Sequence, residues 1–192
     1  SPAGTVTLTS STGGVTLTNA AGSVFNLNNA TVNASLNIDN QGTMALTAVT
    51  DNGAFSNSGT FTIPGVGSTV TLNGAVTNTG SGLIQLLNAG TSSSTSLTVA
   101  SGFTNDGRIE LQSAANGGAL VSTLNVTAGT LTNSASGTIL SYGGSTSTNV
   151  LNAQVNNLGT VQVDRGLSIT NTGRTFDTSA GTLNIATGQT LT

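Results

Sequence analysis

The sequence predicts an all-β solenoid, a parallel β-helix of stacked coils, and three observations carry that prediction. A short phrase, apolar–x–Asn–x–Gly followed by an apolar-alternating run, returns seven times along 192 residues. Between the phrases, apolar residues recur at every second position, the periodicity of a half-buried strand. No stretch repeats apolar residues at helical spacing among helix-forming neighbours. A supersecondary unit that returns along a chain signals a solenoid or an array.

Residues 1–36 form the less regular part of a single solenoid spanning 1–192. Short strands such as VTLT (15–18) place Val15 and Leu17 on one face and Thr16 and Thr18 on the other. From residue 37 onward the phrase organises the chain. Its copies are IDNQGTMAL (38–46), FSNSGTFTI (55–63), VTNTGSGLIQL (76–86), FTNDGRIEL (103–111), LTNSASGTIL (131–140), VNNLGTVQV (155–163) and ITNTGRTFD (169–177). Parity puts Phe103, Asn105, Ile109 and Leu111 inward and Arg108 and Glu110 outward, with Gly107 expected to supply a permissive backbone at the bend. Strands TVTLN (69–73), SLTV (96–99), TLNV (123–126) and TLNI (182–185) repeat the alternation. Pro64 follows a strand at a corner, where a missing N–H does little harm. The expected core includes Val15, Leu17, Phe55, Phe61, Ile63, Phe103, Ile109, Leu111, Val161 and Val163. Eight or nine coils, stacked about 4.8 Å apart, make a rod ~40 Å long.

Stacked coils bring equivalent residues together, and an Asn in such a stack can donate and accept along the axis. The expected structural ladder is Asn40, Asn57, Asn78, Asn105, Asn133, Asn157 and Asn171. Their spacings are 17, 21, 27, 28, 24 and 14 residues, so loops of unequal length must leave the coil. The Gly-, Ser- and Asn-rich segments 88–95, 112–122 and 141–149 are the expected insertions. The last spacing is too short for a full coil, and reading LSITNTG as the first strand of its own coil accommodates it.

Composition narrows the function. Thr, Ser, Asn and Gly supply more than half of the residues, and charged residues only 5%, against about 25% in typical soluble domains. There is no Lys, His, Cys or Trp, and the net charge is −3. No basic stripe exists for nucleic acid, and no apolar run reaches the ~20 residues of a membrane helix. Without His or Cys, triad catalysis is impossible within the chain. The six acids scatter along it, so no catalytic, cofactor or metal residues are assigned and no enzyme activity is expected. DNG (51–53) and NDG (105–107) read as Asx-type turns. Around Arg108, a local ion pair with Asp106 or Glu110 is expected. Thr-x-Thr pairs occur at Thr5/Thr7, Thr16/Thr18, Thr60/Thr62, Thr69/Thr71 and Thr130/Thr132, at intervals of 11, 44, 9 and 61 residues that do not fit pairs in register on successive coils.

The phrase V/F-x-N-x-G-T followed by alternating apolar residues, with strands such as STLNVTAGTLTNS (122–134) and AGTLNIATGQTLT (180–192), resembles the passenger repeats of bacterial autotransporters and filamentous-haemagglutinin-like exoproteins. The resemblance covers residues 37–192 and, more loosely, 4–36. It implies a right-handed, three-sided β-helix with coils of variable length, located outside the cell or on a bacterial surface. The expected function is a non-enzymatic structural or adhesive rod or filament segment. It needs no cofactor, associates end to end or continues in a longer chain, and meets a host or neighbouring cell surface. The alternatives are an ice- or carbohydrate-binding module using a Thr/Asn-rich face, and a degenerate polysaccharide-processing β-helix.

Overall fold

The computed structural model describes residues 6–65, 67–88, 94–113, 120–144, 147–170 and 172–192. Among them are twenty strands and no helix, and every strand pairing is parallel. The strands stack as a three-sided β-solenoid of about seven turns, rather than the eight or nine coils expected.

Register defines the three faces. The first runs through Val15–Asn19, Leu36–Asn40, Phe55–Asn57, Val76–Asn78 and Thr104–Asn105, then the ends of Ser122–Asn133 and Asn149–Asn157, and last Phe176–Asp177. The second joins the starts of Val24–Val32 and Thr43–Asp51 to Thr60–Pro64, Leu83–Leu87, Arg108–Ser113, Thr138–Gly143, Thr160–Val163 and Thr182–Ile185. The third joins Val6–Leu8 to the ends of Val24–Val32 and Thr43–Asp51. It continues through Thr69–Leu72, Thr95–Val99, the starts of Ser122–Asn133 and Asn149–Asn157, and Leu167–Ile169.

All three expected insertions leave at one corner, between the second face and the third. Residues 89–93, 114–119 and 145–146 of these insertions lie outside the described residues. In the first coils the same corner is turned by single left-handed residues, Asn29 at φ 51° and Ala48 at φ 53°. The longest insertions therefore leave at one edge, while the corner between the first and second faces takes two or four residues and the pairing shifts register between Asn125 and Thr130 at the third corner.

The alternating pattern fills the interior. Phe55, Phe61, Ile63, Phe103, Ile109, Leu111, Val161 and Val163 are buried in one continuous apolar cluster. Phe55 and Phe61 meet at 4.9 Å between ring centroids in a tilted arrangement, worth about 1 kcal/mol beyond the area they bury. Val15 and Leu17 depart from expectation. Val15 is 41% exposed and Leu17 only partly buried. Their parity is inward, since they pair with buried Leu36 and Ile38. They occupy the first described rung of their face, so a neighbour covers them on one side only.

Ile109 is fully buried, with Ile84 and Ile139 in register on either side. Replacing it with Asp places a charge in that stack with nothing to pair with. The expected loss is about 4 kcal/mol or more, among the largest a single change causes, and thermal unfolding of the variant against the parent chain measures it.

Candidate functional site

The most ordered polar feature is internal. Seven buried Asn side chains run up the corner between the first and second faces: Asn19, Asn40, Asn57, Asn78, Asn105, Asn133 and Asn157. Each Nδ2 donates to the Oδ1 of the next, at 2.8, 2.7, 2.8, 2.7, 2.7 and 2.8 Å in turn. Each also donates to a main-chain carbonyl of the following coil, as Asn40 does to Thr60 and Asn133 to Thr160. Asn171 lies outside the described residues. The position above Asn157 belongs to Thr178, whose Oγ1 accepts from Asn157 Nδ2 at 3.0 Å. The step from Asn157 to Thr178 spans 21 residues, a full coil, in place of the 14-residue step. Sequence reading missed Asn19 in LTNAAG (17–22), which lies within the less regular residues 1–36.

The bend glycine has a role other than the one expected. Gly107 does not adopt a left-handed backbone. Instead, a Cβ at Gly107 would lie 2.2 Å from the Gly82 carbonyl oxygen, and one at Gly59 would lie 2.1 Å from that of Gly42. Main chains of successive bends approach too closely for any side chain.

A second buried polar set sits at the insertion corner and had no signal in the sequence. Ser122 Oγ donates its one proton between the carbonyls of Gln112 and Leu86, which lie 2.7 and 3.0 Å away. Asn149 Nδ2 donates to Leu111 O and Ser141 Oγ, at 2.8 and 3.1 Å. These side chains satisfy the carbonyls that the departing loops would leave unpaired.

Charges form one small cluster. Arg108 Nε contacts Glu110 Oε1 at 2.6 Å, so the expected ion pair forms with Glu110. The other carboxylate oxygen accepts from Gln85 Nε2 at 2.8 Å and from the Tyr142 hydroxyl at 3.3 Å. Burial, then the Glu110 charge, push the Tyr142 phenol up to about 12. Although Glu110 points outward, its neighbours bury it. Both Glu110 carboxylate oxygens are engaged within this cluster, while the Arg108 side chain stays half exposed. Among the described residues, no three or more Asp, Glu, His or Cys side chains converge as a metal group would.

Asp51 interrupts the apolar inward column of the third face. It stacks between Val32 and Leu72 and is fully buried. Its Oδ1 accepts from Gly53 N at 3.0 Å, and Oδ2 finds no partner among the described residues. Burial raises its carboxyl to about 6, against the opposing hydrogen bond from Gly53.

The outer surface is shallow. A groove of about 440 Å³ crosses the first face, lined by Asn37, Asp39, Ala54, Ser56, Ala75 and Thr77 among others. The Thr-x-Thr pairs disperse over all three faces: Thr16/Thr18 and Thr130/Thr132 on the first, Thr60/Thr62 on the second, Thr69/Thr71 on the third. Thr5 lies outside the described residues. Compared with known proteins, the chain matches no family model, no curated protein and no solved structure.

Two predictions follow from the buried polar groups. Asn105→Ala strands the Asn78 donor and the Asn133 acceptor, each a loss of about 1–3 kcal/mol. Chemical denaturation should therefore show a cost near that of an apolar core truncation. For Asp51, the folded carboxyl titrates near 6 and the unfolded one near 3.8, so the fold favours the neutral acid. Its stabilising contribution is complete below pH 3.8 and is lost as pH rises through about 6. The span amounts to about 2–3 kcal/mol. Comparing the stability–pH curves of the parent and Asp51→Asn should show that this component disappears in the variant.

Proposed function

We propose that this chain is a non-enzymatic structural and adhesive rod, part of an extracellular β-helical surface protein whose rungs continue end to end. The observation that carries the reading is where apolar surface remains. Val6, Val15 and Ile185 have inward parity, pairing with buried Ala30, Leu36 and Val163, yet are 50%, 41% and 46% exposed. All three lie on the outermost described rungs, beside strand edges that can accept a further strand. A solenoid rung is completed by another rung, supplied by the same polypeptide or by a second copy stacked head to tail. A head-to-tail contact that does not close generates a filament.

Two further features support a mechanical role. The polar atoms of the Asn ladder are used up by the ladder itself, which stiffens the rod along its axis. The inward junction residues carry no charge, so main-chain pairing and apolar contact would hold the joint.

Concentration-dependent association of the chain, measured by light scattering, should be nearly independent of salt, because screening acts on charges. Ile185→Lys should weaken it. A monomer that persists at high concentration would refute spontaneous stacking, and strong dissociation by salt would refute the uncharged joint.

A further inference from the structure

Register on the third face assembles an array that sequence spacing conceals. Thr7 pairs with Thr31, Thr31 with Thr50, Thr50 with Thr71 and Thr71 with Thr98. Five outward threonines thus occupy five consecutive rungs, although they lie 24, 19, 21 and 27 residues apart. Asn125 and Asn152 extend the column. Two residues earlier on the same strands runs a second column, Thr69, Ser96 and Thr123, also in register. The two columns stand side by side on three rungs, Thr69 and Thr71, Ser96 and Thr98, and Thr123 and Asn125, and the first column alone continues through Thr50, Thr31 and Thr7.

The absence of charge distinguishes this face from the other two, and two further properties suit it to a flat contact. None of its outward strand residues is charged; Asp51 belongs to it but points inward. The equivalent column of the first face is broken by Asp39 and Asp177 and borders the groove, and the second face carries Arg108 and Glu110. None of its outward residues is aromatic, so it lacks the rings on which a sugar face would stack. Its side chains are short, β-branched and held by paired strands on both sides, which leaves them few rotamers to lose on binding.

We propose that the third face binds ice. Rungs lie about 4.8 Å apart, and alternate residues of one strand about 6.7 Å apart. That rectangular repeat is close to the oxygen repeat on a prism plane of ice. Thr suits such a plane because its methyl orders water into a cage while its hydroxyl hydrogen-bonds to it. Charged groups would impose hydration shells that the lattice cannot incorporate, and here they are absent. Each contact is weak, but a rigid grid engages all of them at once, and avidity multiplies. The face lies along the rod and not at its ends, so the proposal is independent of end-to-end stacking.

The test uses the 192-residue chain, measured for retention in a slowly grown ice hemisphere and for thermal hysteresis. The parent chain should be retained and should hold growth between melting and freezing points. Thr71→Tyr and Thr98→Tyr, which raise a ring above the plane, should each lose both signals. Thr77→Tyr on the first face should keep them. Circular dichroism and melting temperature establish that each variant is folded, and the two third-face variants provide independent readings if one is not. A parent chain excluded from ice would overturn the proposal. So would a folded Thr71→Tyr retained like the parent, or an equal loss in Thr77→Tyr. Binding to crystalline cellulose without binding to ice would assign the face to a polysaccharide instead.

Discussion

Parallel main-chain pairing between coils is the constraint on which the rest of this molecule depends. It fixes a single repeat of about 4.8 Å along the axis and places like positions directly above one another. Each inward side chain must then fit a neighbour of its own kind on both sides. Aliphatic residues satisfy this by packing. Among polar residues, Asn can do so because its amide both donates and accepts, so a column satisfies itself indefinitely. The ladder from Asn19 to Asn157 is that solution, ended by the Thr178 hydroxyl. The same constraint explains the bend glycines. Where two turns cross at the spacing of the ladder, the carbonyl below occupies the volume of a Cβ.

What the sequence made legible was parity, and what it hid was register. Alternation alone identified the buried faces of the strands around Phe61, Ile109 and Val161, because a half-buried strand leaves a period of two whatever surrounds it. Register depends on how many residues each corner consumes, and one corner consumes a different number in almost every coil. The threonine column was therefore invisible: its members are separated by irregular intervals, of which only the step from Thr71 to Thr98 contains one of the expected insertions. The Thr-x-Thr pairs visible in the sequence fall on three different faces. Asn19 was missed because it lies within residues 1–36, where the strands are short and the repeated phrase does not organise the chain. The buried Ser122 and Asn149 had no signal at all, because their partners are carbonyls exposed only by the path of the loops.

Scarce charge is a consequence of the same stacking. A charged residue in a column faces its own kind unless the neighbouring coils differ. Where charge does occur outward, as at Glu110, the rungs on either side supply Gln85 and Leu140, and Arg108 sits two residues away on the same strand. Inward, the Asp51 carboxyl has aliphatic neighbours above and below and a single hydrogen bond from Gly53. The cost appears as a carboxyl that the fold prefers to keep neutral.

The two sides of a strand use the same geometry to opposite ends. Inside, an amide is long enough to bridge the gap between rungs, so ladder Asn residues hydrogen-bond to each other and have little capacity left. Outside, a Thr hydroxyl is too short to bridge about 4.8 Å unless its rotamer and its neighbour's converge. Ser96 and Thr69 do so at 3.2 Å, while no such bond links Thr31, Thr50 and Thr71. Farther along the column, Asn returns and the bridging with it: Asn152 Nδ2 donates to Asn125 Oδ1 at 3.2 Å. Thr98 Oγ1 accepts from Asn125 Nδ2 at 3.4 Å, whereas Thr31, Thr50 and Thr71 stand in register without such a bond between them. A column of Asn at the same positions would direct its hydrogen bonds along the rod. The choice between the two residue types decides whether a column stiffens the solenoid or presents a surface to what lies outside it.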